Sequence, residues 1–367
     1  MTLTPTPLQA PTVAPVTEPS DTGKAKNLLE GIASDKDHRG TGHDLTRDTK
    51  MDFVKGVMIV LMVSFHYDAI GTVAVYNEAF RWFSLSFFLP ILFFLSGYFT
   101  KPPRSLTTGV ARVASTLGVP YFFFLVVYLG LISAARETGI YPIRQTVQLD
   151  ATGWLYTVFV SPVGPYYYLY SLAVFRVTYY IAWRVTAGEE TQRWAVHLAM
   201  LIGLSMSPIC TAFWWVMCLG LLWREKGLGF LHGRTAVLPC LVVCCGFFTS
   251  NGKTFFGFVS QNAGLHAVWL LSTLSVTLWI HDRCGIAIRR AFALCGRNTL
   301  SILVMHIFVL KGVLLCTKWV VSTDPSGVLN ILIGATLGTA IPILAAKVLD
   351  TVRLTWLMFG RRQVYVA

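Results

Sequence analysis

The stretch DFVKGVMIVLMVSFHY, which runs from Asp52 to Tyr67, places three ionisable side chains in an otherwise apolar run. Lys55 and His66 are eleven residues apart. Because an α-helix turns about 100° per residue, these two side chains point within ~20° of each other, and Asp52, three residues before Lys55, lies close to the same face. At a rise of about 1.5 Å per residue, His66 is expected ~16 Å beyond Lys55 along the axis. The stretch therefore predicts an apolar helix with a polar stripe.

The whole chain is far more apolar than a soluble protein. Of its 367 residues, 54% are hydrophobic and 13% are charged, whereas about a quarter of the residues in a soluble domain are charged. This composition indicates an all-α, polytopic integral membrane protein. A net charge of +12 also suits a nucleic-acid-binding protein, but the basic residues lie in short clusters between apolar runs, as in the loops of a membrane protein. Nucleic acid is therefore not expected as a partner.

About ten segments after Asp52 are apolar over roughly the ~20 residues that a membrane-spanning helix needs. They are 53–73, 82–100, 113–134, 165–184, 194–208, 210–224, 235–250, 264–281, 299–319 and 328–349. The two short segments around Ser207-Pro208 form either one kinked segment or two spans. Two spans are favoured, because together these segments exceed one crossing of the bilayer.

The basic residues of the connections predict the orientation, since cytoplasmic loops are rich in Lys and Arg. With the N-terminus in the cytosol, most of these residues fall in inside loops, so both termini are expected to be cytosolic. The predicted organisation is a disordered, Thr- and Pro-rich tail (1–50), a transmembrane domain (51–352) and a basic cytosolic C-terminal tail (353–367). The longest connection, about 135–164, is expected outside, where it lies along the interface or covers a site.

The eight cysteines predict neither a disulfide framework nor a metal site. None belongs to a CxxC pair, and most lie inside apolar runs, where a free thiol packs as a small hydrophobe. No metal cofactor is therefore expected.

Two interpretations of the polar stripe remain open from the residues alone. In the structural one, Asp52 pairs with Lys55 at the interface and His66 is a hydrogen-bonded packing residue. In the functional one, the stripe, with Ile59 and Met62 between its ends, lines a path from the cytosol into the membrane, and the histidine acts there as a base.

Five stretches, taken in order, resemble the acyltransferase-3 family of membrane O-acyltransferases. Asp52, Lys55-Gly56 and His66 resemble the family's first helix, which shows an acid, a basic residue with glycine, and a histidine eleven residues after the basic one. Lys55 stands where the family usually has arginine, as in its fucose O-acetylase-like branch. The other stretches are FFLPILFFLSGYFTK (87–101), RVASTLGVPYFFF (112–124), GPYYYLYSLAVFR (164–176) and GRNTLSILVMH (296–306).

The resemblance implies transfer of an acyl group, usually acetyl from acetyl-CoA, to a hydroxyl of a surface polysaccharide or glycolipid on the far side of the membrane. It implies that His66 is the general base that deprotonates the acceptor hydroxyl. Asp52 and Lys55 are then expected to shape the entrance for the donor.

The next candidate residues each have a ligand role and a structural alternative. Lys101, Arg104 and Arg112 either bind the phosphates of CoA or only orient the protein by their charge. Ser96 is a further candidate for the donor site. Its neighbour Gly97 permits either a close approach to a ligand or close helix packing, and packing is slightly favoured.

Arg176 and His306 lie deep in predicted spans, where a buried arginine needs an acid or a ligand. We assign Arg176 to donor binding and His306 to acceptor binding, as wall residues of one cavity. Tyr168 is another candidate for acceptor binding, unless the tyrosines of its helix only form an interfacial belt.

A polytopic transporter or flippase is the alternative function, because intramembrane His, Arg and Lys also mark substrate and proton paths. No clear repeat relates the two halves of the sequence, which argues against it. A non-catalytic scaffold is a third possibility, and the presence of His66 argues mildly against that.

The expected partners are acyl-CoA and a carbohydrate or glycolipid acceptor. Either the plasma membrane or an internal membrane suits the sequence.

Overall fold

The computed structural model describes residues 48–66, 85–137, 150–187, 189–206, 213–230, 233–249 and 262–367. Thr49–Ala367 forms one compact unit. Every regular element in the described ranges is a helix, which confirms the all-α class. The predicted tail up to residue 47 and the middle of the predicted outer connection lie outside the described residues.

The described helices follow the apolar runs of the sequence closely. They are α1 (Thr49–Phe65), α2 (Phe88–Tyr98), α3 (Leu106–Val113), α4 (Val119–Glu137), α5 (Ala151–Phe159), α6 (Tyr166–Val185), α7 (Glu190–Ser205), α8 (Trp214–Glu225), α9 (Gly233–Thr249), α10 (Ala263–Arg283), α11 (Ile286–Arg297), α12 (Thr299–Thr323), α13 (Val328–Thr351) and α14 (Thr355–Phe359). A π-helical turn, Ala114–Gly118, joins α3 to α4. Each of the ten predicted segments overlaps at least one of these helices.

Three described helical stretches are long and apolar enough to cross a membrane by themselves. They are Leu106–Ala135, Ala263–Arg283 and Val328–Thr351. A fourth candidate combines α11 with Thr299–Val313, two helices that meet at an angle of 83°. These helices suit a membrane protein, while the count of ten spans and the cytosolic position of both termini stay predictions.

Helix α11 lies between the predicted spans 264–281 and 299–319, in a region predicted to be a cytoplasmic loop. It crosses α1 so closely that the two backbones touch at a pair of glycines. A Cβ atom on Gly56 would lie 1.8 Å from the carbonyl oxygen of Phe292, and one on Gly296 would lie 1.7 Å from that of Asp52. Real Cβ atoms never approach a backbone so closely, so both positions require glycine.

A second pair of glycines joins α2 to α8. A Cβ atom on Gly97 would lie 2.0 Å from the carbonyl oxygen of Met217, and one on Gly220 would lie 2.0 Å from that of Phe94. The Ser96-Gly97 dipeptide thus has the packing role that its glycine suggested, because Gly97 lets the two helices approach.

A carboxylate that is only 12% exposed holds α6, α7 and α8 together. Glu225, at the end of α8, accepts hydrogen bonds from Arg193 Nη2 (3.1 Å), Trp194 Nε1 (3.1 Å) and the hydroxyl of Tyr179 (3.2 Å). Arg193 also lies over the Trp183 ring, 4.6 Å from its centroid. The buried Arg193 side chain therefore has its charge compensated within the protein.

Replacing Glu225 by Gln is expected to destabilise the protein by about 3 kcal/mol, because it leaves the buried Arg193 charge without its partner. Thermal unfolding of the purified protein, followed by intrinsic tryptophan fluorescence, measures the change. The matched control is Glu190→Gln, which removes the carboxylate of an exposed ion pair with Lys226 (2.7 Å). Exposed pairs contribute little, so an equal fall in melting temperature for both variants would show that the Glu225 network is not structural.

The C-terminal segment packs onto the helical unit. Phe359 is fully buried, with its ring 5.2 Å from that of Phe124 on α4. Gly360 has a positive φ of 62°, and a Cβ atom there would lie 2.0 Å from the carbonyl oxygen of Ser115. Further along, the side chain of Asn298, at the bend between α11 and α12, exchanges two hydrogen bonds with the backbone of Val366. The segment after α13 is therefore part of the folded unit.

Candidate active site

Helices α1 and α12 bring two of the predicted site residues together. The rings of His66, which follows the last residue of α1, and His306, on α12, have centroids 5.3 Å apart and planes inclined by 33°. His306 is fully buried, whereas His66 keeps part of its surface exposed. The pair therefore joins a buried imidazole to a partly exposed one.

The backbone of α12 determines which nitrogen of His306 carries the proton. Nδ1 lies 3.0 Å from the carbonyl oxygen of Ile302 and 2.9 Å from that of Leu303. Carbonyl oxygens only accept, so Nδ1 is the protonated nitrogen and donates to them. Nε2 is then the acceptor of the neutral ring, and it is buried without a hydrogen-bond partner in the described part of the chain. The fold thus leaves one basic nitrogen unsatisfied beside His66.

A tyrosine that was not among the predicted site residues contacts α12 two residues before His306. The hydroxyl of Tyr166, at the start of α6, lies 3.4 Å from the carbonyl oxygen of Val304 on α12. Tyr166 is fully buried, and its ring lies 5.7 Å from that of Tyr128 on α4. Tyr166 lies in a run of tyrosines that is also typical of an interfacial belt, so the sequence does not distinguish it as a site residue. These contacts fix α12 against α6 just before His306.

Ser96 and Tyr168 form a tie between α2 and α6. Their hydroxyl oxygens are 2.6 Å apart, and both lie within hydrogen-bond distance of the carbonyl oxygen of Leu92. The Tyr168 ring also packs on that of Phe93, at a centroid distance of 4.7 Å. Both hydroxyls are thus satisfied within the protein, and their roles in donor and acceptor binding stay predictions.

The four cationic side chains predicted for the donor site line one cavity. It has a volume of about 560 Å³ and includes Lys101 and Arg104 before α3, Arg112 at the end of α3, and Arg176 from the middle of α6. No acidic residue lines it. Within the described ranges none of the four forms an ion pair, and Arg176 Nε is buried without a hydrogen-bond partner. The cavity is therefore a concentration of uncompensated positive charge, which favours an anionic ligand.

Local features of the sequence shape this cavity. Ser105 caps α3 in a reciprocal arrangement with Thr108, so the helix begins directly after the two basic residues at 101 and 104. A Cβ atom on Gly109 would lie 2.7 Å from the Tyr180 ring. The glycine therefore lets α3 approach α6, and this approach brings Arg112 and Arg176 to the same cavity.

The C-terminal segment adds a further positive charge near the cavity. Burial lowers the pKa of Arg361, and the positive charge of Arg176 lowers it further. Arg361 lies in the segment that the sequence predicts to be a basic cytosolic tail (353–367). An anion bound at Arg176 would relieve this repulsion between guanidinium groups.

Asp52 and Lys55 are paired, as the structural interpretation of the stripe expected. Lys55 Nζ lies 3.2 Å from Asp52 Oδ1, and Arg297 Nε on α11 lies 3.7 Å from Asp52 Oδ2. Lys55 also lies 4.7 Å from the centroid of the Phe99 ring, and Phe99 lines the cationic cavity. Asp52 thus positions Lys55 at the edge of the cavity.

The structure separates the two ends of the polar stripe. Ile59 and Met62, which lie between Lys55 and His66, are 0% and 4% exposed and belong to the hydrophobic core. This face of α1 is therefore packed along its middle. The predicted site residues form two groups, a histidine pair next to the end of α1 and a cationic cavity. Arg176 and His306 were predicted to line one cavity, but the cavity that Arg176 lines does not include His306.

The described helices and the strongly apolar sequence suit a membrane protein. Comparison with known families identifies the class of enzyme: the acyltransferase-3 family, described as an acyltransferase domain, matches residues 48–347. The chain therefore belongs to the acyltransferase-3 family and is an acyltransferase. No curated protein and no solved structure gives a significant match. The transporter or flippase alternative finds no support in the family match or the described residues.

Proposed function

We propose that this acyltransferase moves an acyl group, most simply acetyl, from cytosolic acyl-CoA to a hydroxyl of a glycan or glycolipid on the far side of the membrane. The observation that carries the proposal is the contact between His66 and His306, in which His306 Nε2 is unsatisfied. Two imidazoles in contact, one reachable and one buried, suit proton transfer at neutral pH.

In the proposed reaction, a nitrogen of His66 accepts the proton of the acceptor hydroxyl as its oxygen attacks the thioester carbon. The tetrahedral intermediate then expels the CoA thiolate, which takes the proton from the imidazolium, and the product is an ester. His306, held by the carbonyls of α12, contacts the His66 ring and leaves Nε2 available beside it as a proton acceptor.

The cationic cavity is the proposed site for the phosphates of acyl-CoA. Arginine suits phosphate because its planar group donates two parallel hydrogen bonds. Lys55 provides an ammonium point charge at the edge of this site. CoA carries its thioester on a long flexible arm, and the ~16 Å between Lys55 and His66 along α1 is the distance which that arm has to bridge. Lys55 in place of arginine is the basis for placing the chain in the fucose O-acetylase-like branch, with a sugar hydroxyl as acceptor.

The donor site can be tested without knowing the acceptor. Replacing Arg104 and Arg112 by Gln is expected to weaken binding of CoA to the purified protein by about tenfold or more, because charge-assisted hydrogen bonds to phosphate are lost. Isothermal titration of the protein in neutral detergent measures the dissociation constant. Both side chains are exposed, so the fold should be retained.

The matched control replaces two exposed arginines outside the cavity, Arg283 and Arg290, by Gln. It removes the same charge and should leave CoA affinity within about twofold, because exposed charges at a distance are screened. If both double variants bind CoA like the unchanged protein, the cavity is not the donor site.

A further inference from the structure

We infer that the segment after α13 forms a binding site for the headgroup of an anionic phospholipid. A second cavity, of about 730 Å³, opens at the end of α13. It is lined by Asp350, Arg353, Trp356 and Arg362. Neither the family match nor the proposed reaction uses these residues.

The charges of this cavity favour a phosphate group. The carboxylate of Asp350 already accepts hydrogen bonds from the backbone N–H groups of Val364 and Tyr365, at 2.7–3.1 Å. Arg353 and Arg362 form no ion pair with any described residue. The lining therefore holds two guanidinium groups with unused donors, the arrangement that binds phosphate well.

The surroundings of the cavity indicate that the phosphate belongs to a lipid. Helix α13 is long and apolar enough to cross a membrane, and it ends at Thr351, two residues before Arg353. The side chains that follow are exposed although they are apolar: Val352, Leu354, Trp356 and Leu357 are 47–63% exposed. Exposed Trp and Leu beside arginines are typical of the boundary between hydrocarbon and headgroups. A soluble phosphate compound would need no such apolar surround.

The backbone at Arg353 provides independent support. Arg353 has a φ of +60°, a conformation that favours glycine. The turn is held by hydrogen bonds from Arg353 N to the carbonyl oxygen of Asp350 (3.2 Å) and from Leu354 N to that of Leu349 (3.0 Å). Residues with a strained backbone of this kind cluster at active sites and ligand-binding sites. The turn thus presents the arginine in a fixed position at the cavity.

Native mass spectrometry of the full chain in a neutral detergent tests this inference. Titration with phosphatidylglycerol and with phosphatidylcholine should show about tenfold tighter binding of the anionic lipid, since charged hydrogen bonds distinguish the two headgroups. Arg353→Gln combined with Arg362→Gln should abolish this preference. The control Arg283→Gln combined with Arg290→Gln removes the same charge elsewhere and should retain it.

A third variant separates ligand binding from folding. Arg353→Gly relieves the left-handed backbone, so it should keep or raise the melting temperature while it weakens binding of phosphatidylglycerol. The inference is wrong if the Arg353 variants retain the preference, or if the control pair loses it equally. Displacement of the lipid by millimolar inorganic phosphate would also overturn it, because the site would then bind a soluble anion.

Discussion

Cells that carry His66→Gln are expected to lose acyl transfer by about 10²–10⁴-fold, the contribution of a positioned general base. Glutamine fills a similar volume and forms hydrogen bonds, but it cannot accept the hydroxyl proton at neutral pH. The measurement is the base-labile ester mass on surface glycans, compared between cells that lack the gene and cells complemented with each variant at equal membrane levels. Binding of CoA to the variant should be unchanged, because the cationic cavity does not include His66.

The matched control is His197→Gln on α7. His197 is also buried, but it packs against the rings of Phe175 and Tyr179, at centroid distances of 4.9 and 5.5 Å. It contacts neither histidine of the pair in the described structure. Its replacement should therefore leave ester formation within a few-fold of the unchanged protein. Normal ester levels with His66→Gln, at equal protein amounts, would exclude His66 as the base.

The second large effect concerns stability. Replacing both Gly56 and Gly296 by Ala is expected to destabilise the protein by about 4–5 kcal/mol, because each new Cβ atom would overlap the backbone of the facing helix. Helices α1 and α11 would have to separate, and Arg297 would move away from Asp52. Thermal unfolding and size-exclusion chromatography of the purified variant measure the loss.

The same substitution at two open positions provides the control. A Cβ atom on Gly130 of α4 or on Gly203 of α7 would meet no atom within 4 Å. Replacing both by Ala should leave the melting temperature unchanged or slightly higher, since alanine favours helix more than glycine. Equal destabilisation by the two pairs would mean that the close crossing of α1 and α11 does not matter for stability.

Most helices could be predicted from the sequence, because apolar runs of this length have few other solutions in a membrane. The prediction from apolar runs did not include helix α11, because its three arginines lower the mean hydropathy of the segment. Its signal lies in the spacing of Phe292 and Gly296, four residues apart, which places both on the face that meets α1. The partner of that face, Gly56, is far away in the sequence, so no local pattern reveals the crossing.

The contacts among the candidate site residues could be predicted only in part. Helical periodicity predicts that Lys55 and His66 share one face, ~16 Å apart along the axis, and in the structure α1 carries Lys55 and ends at Phe65, one residue before His66. It could not show that the face between them is packed, or that the partner of His66 is His306, because both depend on tertiary contacts. Arg176 was noted for its depth, and the cavity that it shares with Arg112 appears only when α3 packs on α6.

The π-helical turn between α3 and α4 sets the direction in which Arg112 points relative to α4. A π turn accommodates one more residue than an α turn, so it rotates everything before it by roughly 100° relative to a continuous α-helix. Arg112 precedes this turn, and Ser115 within it supports the C-terminal segment. Loss of a single residue here would therefore swing the arginine away from the cavity while α4 kept its place, and the proposed contact with the phosphates of the donor would weaken.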